Sequence, residues 1–212
     1  MKKTPPIPFA GSHLGEARHV CAFFHDDEDA YRVLLPFITA GFGCNHKAVH
    51  VVNPGQDNRH RQRLTEAGID LAAAENNGQF ELRINTDTYL REGTFDPDRM
   101  LAVFEQLADS NSKGPFPLSR IVCHMDWAPE GNPWVDRLME FESRVNEVWQ
   151  RHEDAVICTY NLSKCGGDTV VDIMRTHPMV IIGGVLAQNP FYVPPEQFLR
   201  EFRERRTSTQ LL

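Results

Sequence analysis

Hydrophobic residues in this chain arrive in short dense runs, separated by longer stretches in which they recur every three or four positions. The dense runs are His19 to Phe24, Ala48 to Val52, Phe80 to Ile84, Arg120 to Met125, Ala155 to Tyr160 and Met179 to Gly183, and they predict buried strands. Between them the spacing predicts helices. One follows Asp26-Asp27 on Tyr31, Leu34, Leu35 and Ile38 and ends at Gly41 and Gly43. A polar helix spans Asp57 to Ala67 and stops at Gly68, and Asp70 to Glu75 adds a turn or two. Asp96-Pro97 opens a helix with Met100, Val103, Phe104 and Leu107 on one stripe, and Pro133 opens another carrying Val135, Leu138, Met139, Phe141, Val145 and Val148. Thr169 to Arg175 forms a further helix, and Pro194-Pro195 starts a last one with Phe198, Leu199 and Phe202.

Strands alternating with helices, each strand a near-continuous apolar run, indicate an α/β protein with three layers: a mainly parallel sheet with helices on both faces. In such a sheet the carboxyl ends of all parallel strands open on one edge, the usual ligand site. Four tips there carry polar or aromatic residues: His25-Asp26-Asp27, Asn53-Pro54-Gly55-Gln56, Met125-Asp126-Trp127 and Tyr160-Asn161. They are expected to converge on one crevice. Met125 and Trp127 would supply polarizable walls, Asp126 a carboxylate that orients a ligand, and Tyr160, His25 and Asn53 further polar contacts. The plainer reading is a core Trp127 and a helix-capping Asp126. His177, held extended by Pro178, and Asn189 and Tyr192, in the irregular segment before the last helix, complete the candidates. The latter two are placed as a lid, with chain turning at Pro190, Pro194 and Pro195 as the structural alternative.

Composition narrows the function classes. A chain of 212 residues with 41% hydrophobic content suffices for one domain without disulfide or metal support. Residues 1–18 read as an irregular arm, 19–202 as the domain and 203–212 as a polar tail. A net charge of -7 disfavours direct nucleic-acid binding, and the two short basic clusters, Arg59 to Arg63 and Arg203 to Arg206, read as solvated helix faces. There is no membrane-length apolar run and no secretory leader, so a cytoplasmic location is expected. The five cysteines are expected to be reduced.

Cys21-x3-His25, Cys44-x-His46 and Cys123-His124 lack the paired spacing of a zinc site, so neither metal nor cofactor is expected. After Val52 the chain offers Asn53-Pro54-Gly55-Gln56-Asp57, without the Gly-Lys-Ser/Thr of a Walker loop, and Pro54 removes a backbone donor. ATP hydrolysis is therefore not expected, and Arg59 or His60 remain as contacts for some other anion.

Several segments together resemble the MEDS family, the methanogen/methylotroph sensory domain. They are His19-Val20-Cys21-Ala22-Phe23-Phe24, Pro36 to Phe42, Met125-Asp126-Trp127-Ala128, Cys158-Thr159-Tyr160-Asn161, His177-Pro178 and Asn189-Pro190-Phe191-Tyr192-Val193-Pro194-Pro195. The resemblance implies a degenerate relative of RecA/KaiC ATPases that senses a small, apolar, hydrocarbon-derived ligand without turning it over. It further implies output through a regulatory protein partner or a homo-oligomer, since no helix-turn-helix or kinase region follows. Two other classes stay open: an enzyme using His25, Asp126 and Tyr160 as acid/base groups, and a dimerising module with no ligand.

Overall fold

The computed structural model describes residues 5–127 and 134–209. Its strands are β1 (Ile7–Phe9), β2 (Ser12–Leu14), β3 (His19–Phe24), β4 (Lys47–Val52), β5 (Phe80–Ile84), β6 (Ser119–His124), β7 (Ala155–Asn161), β8 (Met179–Ile182) and β9 (Val185–Gln188). The last seven form one sheet in the order β5-β4-β6-β7-β3-β8-β9. Every neighbouring pair is parallel except β8 with β9. The helices are α1 (Asp27–Gly43), α2 (Asp57–Glu66), α3 (Leu71–Asn76), α4 (Asn85–Thr88), α5 (Pro97–Ser112), α6 (Val135–Arg144), α7 (Asn146–Arg151), α8 (Gly167–Thr176) and α9 (Pro195–Thr209).

Side chains alternate across the sheet and both faces are covered, which is why the strand runs are apolar throughout. Cys21, Phe23, Cys158 and Tyr160 point to one face and pack with Phe104 of α5, Phe141 of α6, Ile173 of α8 and Phe198 of α9. Val20, Ala22 and Phe24 point to the other and pack with Leu34 and Phe37 of α1, Leu64 of α2 and Phe9 and Leu14 of the first hairpin. The mixed α/β class is as the sequence indicates, and all six expected strands form with ends shifted by at most one residue. No helix among the described residues is long and apolar enough to cross a membrane.

Several segments differ from the sequence expectation. The arm before His19 contains the hairpin β1–β2, antiparallel and turned by Ala10 and Gly11 at φ 46° and 75°. Two successive positive φ values match the twist of a tight hairpin. Ile7, Phe9 and Leu14 are its anchors, all buried. β9 is a further strand, reached through Gly183 and Gly184 at φ 58° and 77°. The long helix expected through Val148 is two helices, α6 and α7, with Val145 between them. Pro133, placed at its start, lies outside the described residues. α9 continues to Thr209, and Arg205 and Arg206 of the expected tail pair with Asp172 and Asp136.

Candidate functional site

At the carboxyl edge of the sheet, the tips of β4 and β6 are neighbours, and that of β3 lies on the same edge beyond β7. His25 is exposed just past β3, its N–H donating to Asp29 Oδ2 at 3.3 Å. Asn53, past β4, donates from Nδ2 to Gln56 Oε1 at 3.0 Å and accepts from Asn85 Nδ2 at 2.6 Å, so two loops are tied together there. Met125 is buried beneath, its N–H bonded to Thr159 O at 2.9 Å. Asp126 Oδ2 lies 3.3 Å from Lys164 Nζ across the tips of β6 and β7. The half-buried Trp127 packs on Tyr89 and Phe95, ring centroids 5.2 and 5.4 Å away. Tyr89 and Phe95 are buried, so Trp127 is the ring of this group that reaches the surface beside the polar rim. A separate groove of about 550 Å³ follows the neighbouring edge of the sheet, lined by charged groups such as Arg83, Asp87, Arg91 and Arg99.

The remaining candidates sit elsewhere, so the single crevice expected from the sequence is not what the fold builds. Tyr160 is buried, and its hydroxyl turns down into the core to donate to Glu142 Oε1 at 3.1 Å. His177 ends α8 and precedes β8, which places it at the amino edge of a parallel sheet, opposite the tips. Asn189 follows β9, which runs antiparallel to β8, and so it too lies at the amino edge. Asn189 Nδ2 donates to Met174 O at 2.6 Å and to His177 O at 2.7 Å, pinning the segment of Tyr192 there and not over the tips. A lid at Asn189 and Tyr192 would have required β9 to be a loop.

His177 instead belongs to a buried group that the sequence reading did not assemble: His19 at the start of β3, Glu142 near the end of α6, Cys158 in β7 and His177. Glu142 Oε2 lies 3.4 Å from His19 Nε2 and 3.4 Å from His177 Nε2. Cys158 Sγ is 3.7 Å from His19 Nε2 and 4.0 Å from Glu142 Oε2. The two imidazole rings stack at 4.1 Å.

The other ring nitrogens fix how these groups face. His177 Nδ1 lies 2.9 Å from both Ile173 O and Thr176 Oγ1; the Thr176 hydroxyl donates to the same carbonyl at 2.8 Å, and the carbonyl only accepts, which assigns the proton to Nδ1. Asn146 Nδ2 donates to the carbonyls of Glu142, Ser143 and Thr176, which turns Oδ1 toward His19 Nδ1 at 3.0 Å and makes that nitrogen a donor as well.

The electrostatics follow from burial and proximity. Burial, then the neighbouring His177, lowers the basicity of His19. Burial by itself raises the Glu142 carboxyl, but the His177 and His19 rings outweigh it and hold the group down to about 2. Burial and then Glu142 push the Tyr160 phenol well above its ordinary value.

A second histidine cluster occupies the opposite face. Tyr31 Oη lies 2.8 Å from His60 Nδ1, and His60 Nε2 lies 2.8 Å from His50 Nδ1. His124 stacks edge-on to His60 at 5.6 Å. Burial, then His124, lowers His50 to about 3. His60 is therefore a core residue and no anion contact, and Arg59 is engaged with Asp27 and Glu28 at 3.2 and 2.9 Å.

No curated protein matches the chain. Residues 18–178, which span β3 through His177-Pro178 and so both the carboxyl-edge tips and the buried group, match the family described as MEDS, the methanogen/methylotroph, DcmR sensory domain. On that match over most of its length, the chain belongs to the MEDS family of sensory domains.

Proposed function

We propose that this chain is the ligand-binding part of a signalling system, taking a small organic molecule at the carboxyl edge against Trp127 and passing the change to a regulatory partner or a second copy. The observation that carries this reading is the half-buried Trp127, backed by the buried rings of Tyr89 and Phe95, next to the Asp126–Lys164 pair and the Asn53–Asn85 link. A rigidly backed indole face with a few placed polar groups is the kind of surface that binds a small organic molecule and orients it. Membership of a sensory family supports signal input over turnover. The mainly parallel order, with β3 in the interior of the sheet, supports kinship with degenerate RecA/KaiC-like domains.

Two features support the absence of ATPase activity. α1 begins two residues after His25, capped by Asp26 and with Asp27, Glu28 and Asp29 in its first turn, so its amino end already carries negative charge. A phosphate placed there would meet those carboxylates. α2 has no side-chain cap at Gln56, and its arginines Arg59 and Arg63 are spent on α1's acids. The acid/base reading of His25, Asp126 and Tyr160 is disfavoured because the Tyr160 hydroxyl faces Glu142 inside the core while His25 is exposed at the edge.

The test is a thermal-shift and Trp-fluorescence screen of small chlorinated hydrocarbons, alcohols, aromatics and Mg-ATP. A ligand at about 100 times its Kd stabilises by about 2.7 kcal/mol, which is a rise of roughly 5–10 °C for a chain this size. A hit from the organic set whose quench is lost in Trp127→Phe is the expected result. Tight binding and hydrolysis of Mg-ATP would overturn it.

A further inference from the structure

We propose that His19, Glu142, Cys158 and His177 bind one divalent transition-metal ion, zinc by donor chemistry, in a closed four-coordinate site inside the core. The site is separate from the ligand edge and does not depend on what binds there. Among the described residues this is the group of His, Cys and carboxylate side chains whose donor atoms all lie within 4.8 Å of one another. A tetrahedral zinc ion with bonds of about 2.0 Å to nitrogen and oxygen and about 2.3 Å to sulfur sets its donors roughly 3.3–3.6 Å apart. The observed separations are 3.4 Å for each Nε2 to Oε2, 3.7 Å for sulfur to nitrogen and 4.0 Å for sulfur to oxygen.

Spacing alone would not decide the matter, and the direction of the lone pairs does. Both histidines commit Nδ1–H outward, His177 to Ile173 O and His19 to Asn146 Oδ1. Each Nε2 is thereby left with a lone pair aimed at the Glu142 carboxylate oxygen. His177 Nε2 is wholly buried and makes no hydrogen bond, although Oε2 stands 3.4 Å away. Two lone pairs and an anionic oxygen held this close, away from water, repel unless an added proton or a metal ion lies between them.

A divalent ion meets that requirement and balances the charge. With Cys158 bound as thiolate and its proton released to solvent, one carboxylate and one thiolate neutralise the ion, so no net charge is buried. The outer shell is also in place. Tyr160 donates to Oε1 of Glu142 and leaves Oε2 for the metal, while Asn146 and the Ile173 carbonyl hold the two rings in the required tautomer. Sulfur, nitrogen and oxygen donors in one set suit zinc. The ligands come from β3, α6, β7 and the end of α8, so a bound ion would clamp two helices to the sheet.

The experiment uses the full chain, demetallated with a chelator, checked for native circular dichroism and titrated with cobalt(II) and then zinc. One equivalent of cobalt is expected to give tetrahedral ligand-field bands and a thiolate charge-transfer band, both bleached by one equivalent of zinc. Cys158→Ser should lose the charge-transfer band, and Tyr160→Phe, which keeps all four ligands, should weaken zinc binding by about 10- to 100-fold. A folded chain that takes up no stoichiometric metal overturns the proposal. So does metal bound equally well by Cys158→Ser and His177→Gln, which would place it on surface residues. Nitrogen-15 spectra showing His19 or His177 doubly protonated in excess zinc would mean that an imidazolium supplies the positive charge, and would overturn it too.

Discussion

The two ends of this sheet handle polar groups in opposite ways. At the carboxyl edge His25 is exposed, Asp126 pairs with a Lys164 that is itself 46% exposed, and Asn53 bridges two loops. These contacts are near water and are exchangeable, which leaves them free to meet a ligand. Toward the amino edge, Glu142 and His177 have fully buried side chains, and Tyr160, Asn146 and the Ile173 carbonyl around them are each committed to a partner. Groups buried to that degree are costly to disturb. On the proposed reading the carboxyl edge meets the signal molecule, while the interior group links α6 and α8 to the sheet.

The largest effect that would test this contrast is Glu142→Leu. It removes the anion and leaves the Tyr160 hydroxyl without its acceptor, and it is expected to cost about 3–5 kcal/mol in denaturant unfolding, as removal of one member of a buried charged group does. A loss below 1 kcal/mol would mean that the interior group holds nothing together.

Acid comes next. His19, His50, His60 and His124 all have lowered basicity in the fold, burial being the first cause in each. Below the ordinary histidine value of about 6.5 the unfolded chain takes up protons that the folded chain refuses, so stability falls with pH. For His50 and His60, the two lowered furthest, the loss approaches about 1.4 kcal/mol per pH unit each below that value. For His50 the loss continues until the folded-state value of about 3 is passed. Glu142 adds to it at lower pH, because its depressed carboxyl contributes stability that is present above its ordinary value of 4.5 and disappears as pH falls toward 2. Unfolding midpoints at pH 7.5, 6.5 and 5.5 measure the slope, and a flat profile over that range would contradict buried neutral histidines.

Smaller effects separate the two faces and the two ends. Tyr31→Phe deletes the hydroxyl on His60 Nδ1 and is expected to cost about 1 kcal/mol, with no effect on ligand binding at the edge. Lys164→Met removes an exposed partner of Asp126 and should change stability by less than about 1 kcal/mol, while shifting the affinity of the edge for any polar ligand.

Most of the sheet was legible because a strand covered on both faces must be apolar at every position, as in Val20 to Phe24 and Val49 to Val52. The first hairpin was not, because Pro5, Pro6 and Pro8 read as loop and Ala10-Gly11 is a weak turn signal. β9 was legible in principle: Gly183-Gly184 is a hairpin turn by composition, and taking it so would have sent Asn189 and Tyr192 to the amino edge. The strand tips were found because loop chemistry stands out against apolar runs. The interior group escaped because its members lie at 19, 142, 158 and 177, with no local spacing to link them. One signal was present. Glu142 falls four residues after Leu138 and three after Met139, so it is a carboxylate on the apolar stripe of α6, and a charge there demands partners.

The most direct test of where the protein recognises its signal is a nitrogen-15 heteronuclear NMR titration of the full chain with the organic compound that raises its melting temperature most. Shifts should concentrate at the Trp127 indole, Asp126, Asn53 and Lys164, with His177, Asn189 and Tyr192 unmoved. Shifts confined to the amino edge, or absent from Trp127 at saturation, would contradict the assignment of the carboxyl edge as the sensing surface.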